Sequence, residues 1–163
     1  MYKRQTLADA YLYHDWDFPK AQQEFLRAIA ANPNYPTAHQ WYSEYLFAVG
    51  RTDEAITEAK RAQELDPLSV AINGSVAAAY YYARKYDESI EQSKKVLIMD
   101  PNRATDHFEM ARAFAQKKMF QEAVDEWQTA LKLIGHPAMA TALGEAYKAS
   151  GFPGFLQAWL DED

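Results

Sequence analysis

Pro33, Pro67 and Pro101 stand 34 residues apart, and this ruler constrains the fold more than any other feature of the chain. Each closes an amphipathic stretch, in the strings AANPN, ELDPL and IMDPN. Proline lacks an N–H and pushes the preceding residue out of the helical region, so each string ends a helix. A fixed period of this length is the signature of helix pairs stacked as an array, because one pair alone cannot bury its apolar face. Proteins built this way usually act through a surface and not through a reactive centre.

Aligned on the prolines, the sequence predicts an all-α fold of four helix pairs with a ninth helix and a short capping helix. First helices are expected at Lys3–His14, Pro36–Val49, Ser69–Arg84 and Arg103–Lys117. Second helices are expected at Pro19–Ala31, Thr52–Leu65, Tyr86–Met99 and Phe120–Leu133, followed by Ala138–Ser150 and Pro153–Asp161. Gly50 suits a helix C-terminus with positive φ, and Arg51-Thr52-Asp53-Glu54 opens the next helix with a cap and acids. Gly135-His136-Pro137 and Ser150-Gly151-Phe152-Pro153-Gly154 supply further stops. With no linker or low-complexity stretch, the reading is one array over 1–163, with repeats at about 1–35, 36–69, 70–103 and 104–137 and a partial repeat at 138–163.

These residues resemble the tetratricopeptide-repeat family, whose pattern is W-x2-L-G-x2-Y, then A-x3-F, then a closing proline. The first pair supplies Leu7, Ala8 and Tyr11, then Ala21, Phe25 and Ala28. The second supplies Tyr42, Ser43 and Leu46, then Ala55, Ala59 and Ala62. The third supplies Val76, Ala77 and Tyr80, then Ser89, Ser93 and Val96. The fourth supplies Met110, Ala111 and Phe114, then Ala123, Trp127 and Ala130, and Leu143, Gly144 and Tyr147 open a fifth. The Trp slot departs from the pattern, holding Arg4, His39, Asn73 and His107. The resemblance implies a right-handed α-α superhelix and a protein-binding scaffold. The wording around DWDFPKAQQEFLRAIAANPNYP is also loosely similar to repeat regions of bacterial multidomain regulators. That implies an alternative role as a sensory or assembly domain of a larger signalling or transcription regulator, acting through intramolecular or homotypic contacts.

Composition narrows the partners. A net charge of −6 and a pI near 5.2 argue against a phosphate-backbone binder and against an acidic membrane surface. The absence of cysteine removes disulfides, thiolate nucleophiles and Cys-ligated zinc. No secretory signal and no run of about 18 apolar residues occurs, which favours the cytoplasm. Lys3 and Arg4 sit where the helix dipole disfavours positive charge, so the chain is expected to be a piece of a longer protein.

No catalytic, metal-binding or cofactor-binding constellation emerges. His39 and His107 share a repeat slot, which points to packing, and neither His-x3-His nor HExxH occurs. Asp53-Glu54 and Asp87-Glu88 open second helices, where dipole and capping account for them. His14-Asp15-Asp17 is at most a weak cation site. In a helix-pair array the first helices line the concave face, so the candidate protein-binding groove runs through Asp9 and Tyr13, then Gln40, Glu44 and Phe47. It continues through Tyr81 and Tyr82, Phe108 and Arg112, and ends at Glu145 and Lys148. Phe155, Leu156, Trp159 and Leu160 form an apolar stripe expected to cap the last groove, or to carry a homo-oligomer contact.

Overall fold

The computed structural model describes residues 6–8, 10–11 and 17–161. Among them every regular element is a helix, in the order α1 (Phe18–Ala31), α2 (Pro36–Ala48), α3 (Thr52–Leu65), α4 (Val70–Tyr82), α5 (Tyr86–Met99), α6 (Ala104–Gln116), α7 (Phe120–Leu133) and α8 (Pro137–Leu160). The second helices α3, α5 and α7 coincide with the boundaries expected from sequence. The two expected terminal helices are the arms of α8, broken at Gly151 where φ is 66°.

Local chemistry explains the boundaries. Asp17 caps α1 by accepting from Lys20 N–H at 3.1 Å, with Pro19 in the first turn. Ser69 caps α4 through Ile72 N–H, and Pro36 starts α2. At the other ends, the turn repeats. Arg51 N–H donates to Leu46 O and Gly50 N–H to Phe47 O; Lys85 and Arg84 bond likewise to Tyr80 and Tyr81. Met119 and Lys118 do the same to Phe114 and Ala115, and His136 and Gly135 to Leu131 and Lys132. This pair of bonds is the Schellman closure, which needs one residue in the left-handed region. Glycine takes that place at Gly50 and Gly135, but Arg84 (φ 59°) and Lys118 (φ 61°) take it in the two turns between.

The chain forms two compact units, Met1–Lys85 and Tyr86–Asp163. In the first, α1 packs on α2, α2 on α3, and α4 on both α2 and α3. In the second, α6 packs on α5 and α7, and α7 on α8. Close approach depends on the small residues of the repeat. Ala8, Ser43, Ala77 and Ala111 at the mid-first-helix slot are fully buried, as are Ala21, Ala55, Ser89 and Ala123 heading the second helices. Ala28, Ala62, Val96 and Ala130 complete that pattern at zero exposure. Larger residues fill what remains: Phe25, Tyr42, Tyr45 and Leu46 in the first unit, and Val124, Leu131, Leu143 and Phe155 in the second.

Candidate functional site

The Trp slot, where the repeat pattern is broken, holds polar residues that are buried at His39 and Asn73 and half-buried at His107. His39 Nε2 lies 2.9 Å from Pro33 O, and its Nδ1 lies 2.6 Å from Glu58 Oε2. A carbonyl only accepts, so Nε2 is the donor to Pro33 O. One repeat on, Asn73 Nδ2 donates to Pro67 O and to Ser69 O, each at 2.9 Å. Another repeat on, His107 Nδ1 meets Glu126 Oε2 at 2.6 Å. The slot therefore ties a first helix to its own second helix (His39, His107) and to the loop of the closing proline (His39, Asn73). These histidines serve architecture.

The acids are similarly engaged. Glu54 accepts both Arg51 Nε at 2.7 Å and Arg51 Nη2 at 2.6 Å, which holds its carboxyl below the ordinary range. Asp87 pairs with Lys117. Among the described residues no group of three or more His, Cys, Asp or Glu is placed to hold a metal ion. His14 and Asp15 lie outside the described residues; Asp17 is the helix cap already noted.

The groove candidates divide by unit. Asp9 and Tyr13 lie outside the described residues. In the first unit, α2 and α4 lie side by side and bring Gln40, Glu44, Phe47, Tyr81 and Tyr82 together. Gln40 Nε2 donates to Ser75 Oγ at 3.0 Å and to Glu44 Oε1 at 3.3 Å, and Ser75 Oγ donates to Glu44 Oε1 at 3.1 Å. Beside this network the Phe47 and Tyr82 rings stack at 4.4 Å and 13°. Tyr81 meets Tyr82 edge-on at 5.6 Å. Tyr82 keeps 45% of its surface exposed, and Phe47 and Tyr81 are half-buried.

In the second unit, Phe108 is half-buried against the cluster of Val124, Leu131, Ala140, Leu143 and Phe155. Arg112 Nη1 donates to Glu109 Oε1 at 3.1 Å. Glu145 and Lys148 are exposed and line a polar cleft of about 260 Å³ between α7 and α8, with Gln121, Asp125, Gln128 and Thr141. Gln128 lies across bare Gly144, where any Cβ would displace it, and donates to Ala140 O at 2.6 Å. Of the apolar tail, Phe155 and Trp159 pack into the core cluster, while Leu156 and Leu160 remain 46% and 68% exposed.

Glu109 and Asp106 carry a pH dependence. Burial pushes the Glu109 carboxyl upward; Arg112 opposes this and Asp106 reinforces it, while Glu109 Oε2 is buried with no hydrogen-bond partner. Burial likewise raises Asp106, against its bonds from Arg103 and Thr105. A carboxyl raised in the folded state stabilises the protein below its unfolded pKa, and that stability is lost as pH rises through the folded value. Glu109→Gln is therefore expected to flatten the fall in stability between about pH 4 and pH 7 and to match or exceed the parent at neutral pH. Urea midpoints measured across that range check it; an unchanged slope would remove Glu109 as its source.

One feature escaped the sequence reading: a cleft of about 540 Å³ bounded by Phe18, Pro19 and Gln22 of α1 and by Tyr45, Ala48, Val49 and Arg51 at the end of α2. No periodic signal marks it, because its walls come from different repeat slots.

The comparisons agree with this architecture. A family model described as Tetratricopeptide repeat matches residues 6–70 and 77–138. No curated protein sequence matches the chain. Among solved structures, TTC0263, a thermophilic TPR protein in Thermus thermophilus, is 18% identical with a TM-score of 0.72, covering 98% of this chain and 95% of its own. The MamA RS-1 ArsTM double mutant is 14% identical at a TM-score of 0.71, covering 98% and 94%. MamA MSR-1 is 21% identical at 0.65, covering 80% of this chain and 74% of its own. No helix among the described residues is long and apolar enough to cross a membrane. With the family model spanning most of the sequence and the helix pairs in place, the chain belongs to the tetratricopeptide-repeat family.

Proposed function

We propose that the chain is a non-catalytic interaction module that binds a protein or peptide segment across the exposed faces of its first helices. The observation that carries this reading is the Phe47–Tyr82 stack with Tyr81 on its edge, flanked by the Gln40–Glu44–Ser75 network. Aromatic rings fixed against one another offer large contact area at little entropic cost, and the adjacent amide and carboxylate supply orientation. Arg112 in the second unit, and Glu145 and Lys148 on α8, hold the corresponding repeat positions within that unit. Family membership in a group of interaction scaffolds supports the reading, as do Glu54 and Asp87, engaged in ion pairs, and His39 and His107, engaged in helix ties. Affinity is modest, since an extended partner segment must be ordered as it binds.

Selection of a displayed peptide library against the full chain provides a ligand for the test. Tyr81→Ala combined with Tyr82→Ala is expected to weaken the selected peptide at least about tenfold, the scale of an aromatic anchor. The unfolding midpoint should move little, because Tyr82 is nearly half exposed. Unaltered affinity in the double variant would refute the placement of the site.

A further inference from the structure

Asn73-Gly74 is the one Asn-Gly pair in the sequence; it lies within α4, with Asn73 buried and Gly74 half-buried. In an open chain this dipeptide is chemically unstable, because glycine has no Cβ to hinder its backbone nitrogen from approaching the neighbouring side-chain amide. We infer that Asn73 is a deamidation site held shut by the fold, released when the first unit opens, and destructive to refolding once it has reacted.

The reaction needs only water. The Gly74 backbone nitrogen bonds to Asn73 Cγ and loses its proton to solvent. The Cγ–Nδ2 bond breaks, ammonia leaves and a cyclic imide remains. Water then opens either imide carbonyl, giving aspartate or isoaspartate at this position. In the folded protein both reactants are engaged. Asn73 is 5% exposed, its Nδ2 donates to Pro67 O and Ser69 O, and its Oδ1 accepts from Gln63 Nε2 at 2.6 Å. Gly74 lies inside α4, where its N–H belongs to the helical hydrogen-bond ladder.

The product does not fit the site. A carboxylate in place of the amide would face two carbonyl oxygens with no hydrogen to give either, in a buried position. Isoaspartate adds a backbone carbon and breaks the helical ladder as well. Opening and reaction together thus retire the molecule. If the proposed binding function holds, a bound partner that stabilises the closed state lowers the open population by mass action and prolongs the life of engaged modules.

The full chain is incubated at mildly alkaline pH, in buffer and in urea sufficient to unfold it, and amide loss is followed by peptide-mapping mass spectrometry. In urea, conversion at residue 73 is expected to outrun that at Asn34 and Asn102. In buffer it should slow by at least about a hundredfold, following the opening equilibrium. Gly74→Ala should slow the reaction in urea. Equal rates with and without urea, or no effect of Gly74→Ala, would overturn the assignment. Asn73→Asp should lower the thermal midpoint far more than Asn102→Asp; a parental midpoint would overturn the claim that the product cannot refold.

Discussion

Replacing Phe25 with alanine is expected to destabilise the first unit by about 3–5 kcal/mol, the range for a buried aromatic. The ring is 1% exposed and lies 6.1 Å from Tyr42 and 5.7 Å from Tyr45, which stack on one another at 5.9 Å. Removing it opens a void that the two tyrosines cannot fill freely. Tyr45 Oη donates to Phe18 O at 3.1 Å, and Gln22 Nε2 donates to Tyr42 Oη at 3.3 Å. Tethered walls collapse poorly, and poor collapse places a truncation high in its range. Urea unfolding followed through the fluorescence of Trp41, which packs against this cluster, measures the effect. A loss below about 1 kcal/mol would show that the tyrosines do relax into the space.

Phe155→Ala should cost a similar amount, about 3–5 kcal/mol, in the second unit. Phe155 is 1% exposed and sits 5.0 Å from Trp127, 5.7 Å from Phe152 and 5.6 Å from Trp159. Phe152 in turn stacks on Phe120 at 4.3 Å. The backbone gives this ring its place. Gly151 turns the chain at positive φ, and Gly154 lets the second arm of α8 lie against the first. A Cβ at Gly154 would come within 2.7 Å of Ala146 O and 2.6 Å of Ser150 Cβ. Because two tryptophans flank the ring, loss of the contact should also shift the emission toward that of solvated indole. Unchanged emission and an unchanged midpoint would mean the terminal arm contributes nothing to the unit it covers.

The sequence was legible wherever a property repeats or a helix must end. The closing Pro67 and Pro101, the Gly135 stop and the acid-headed starts placed α3, α5 and α7 to the residue, because chain termination is a local, steric event. The small slots were legible for a related reason: only a small side chain permits close helix approach, so its position can be read without knowing the neighbour. The turn residues Arg84 and Lys118 were less legible. Nothing in a long cationic side chain announces positive φ, and the neighbouring helices impose it through the closing hydrogen bonds.

The site was legible in part. Sequence named Phe47, Tyr81 and Tyr82 but left open which ring meets which; the stack joins Phe47 to Tyr82 across two repeats. The tail stripe was read as one surface, yet packing divides it, with Phe155 and Trp159 inside and Leu156 and Leu160 outside. Phe108, read as groove lining, is half-buried against the core of its own unit.

Taken alone, the amino-acid order settled the helix pairs, their period and the family, since these follow from proline sterics, helical spacing and side-chain size acting over a few residues. Tertiary packing decided the partners of His39, Asn73 and His107, the ring pairings, and the cleft between α1 and α2. Those depend on which atoms from distant repeats arrive within about 3–6 Å of one another, a distance that no local rule specifies.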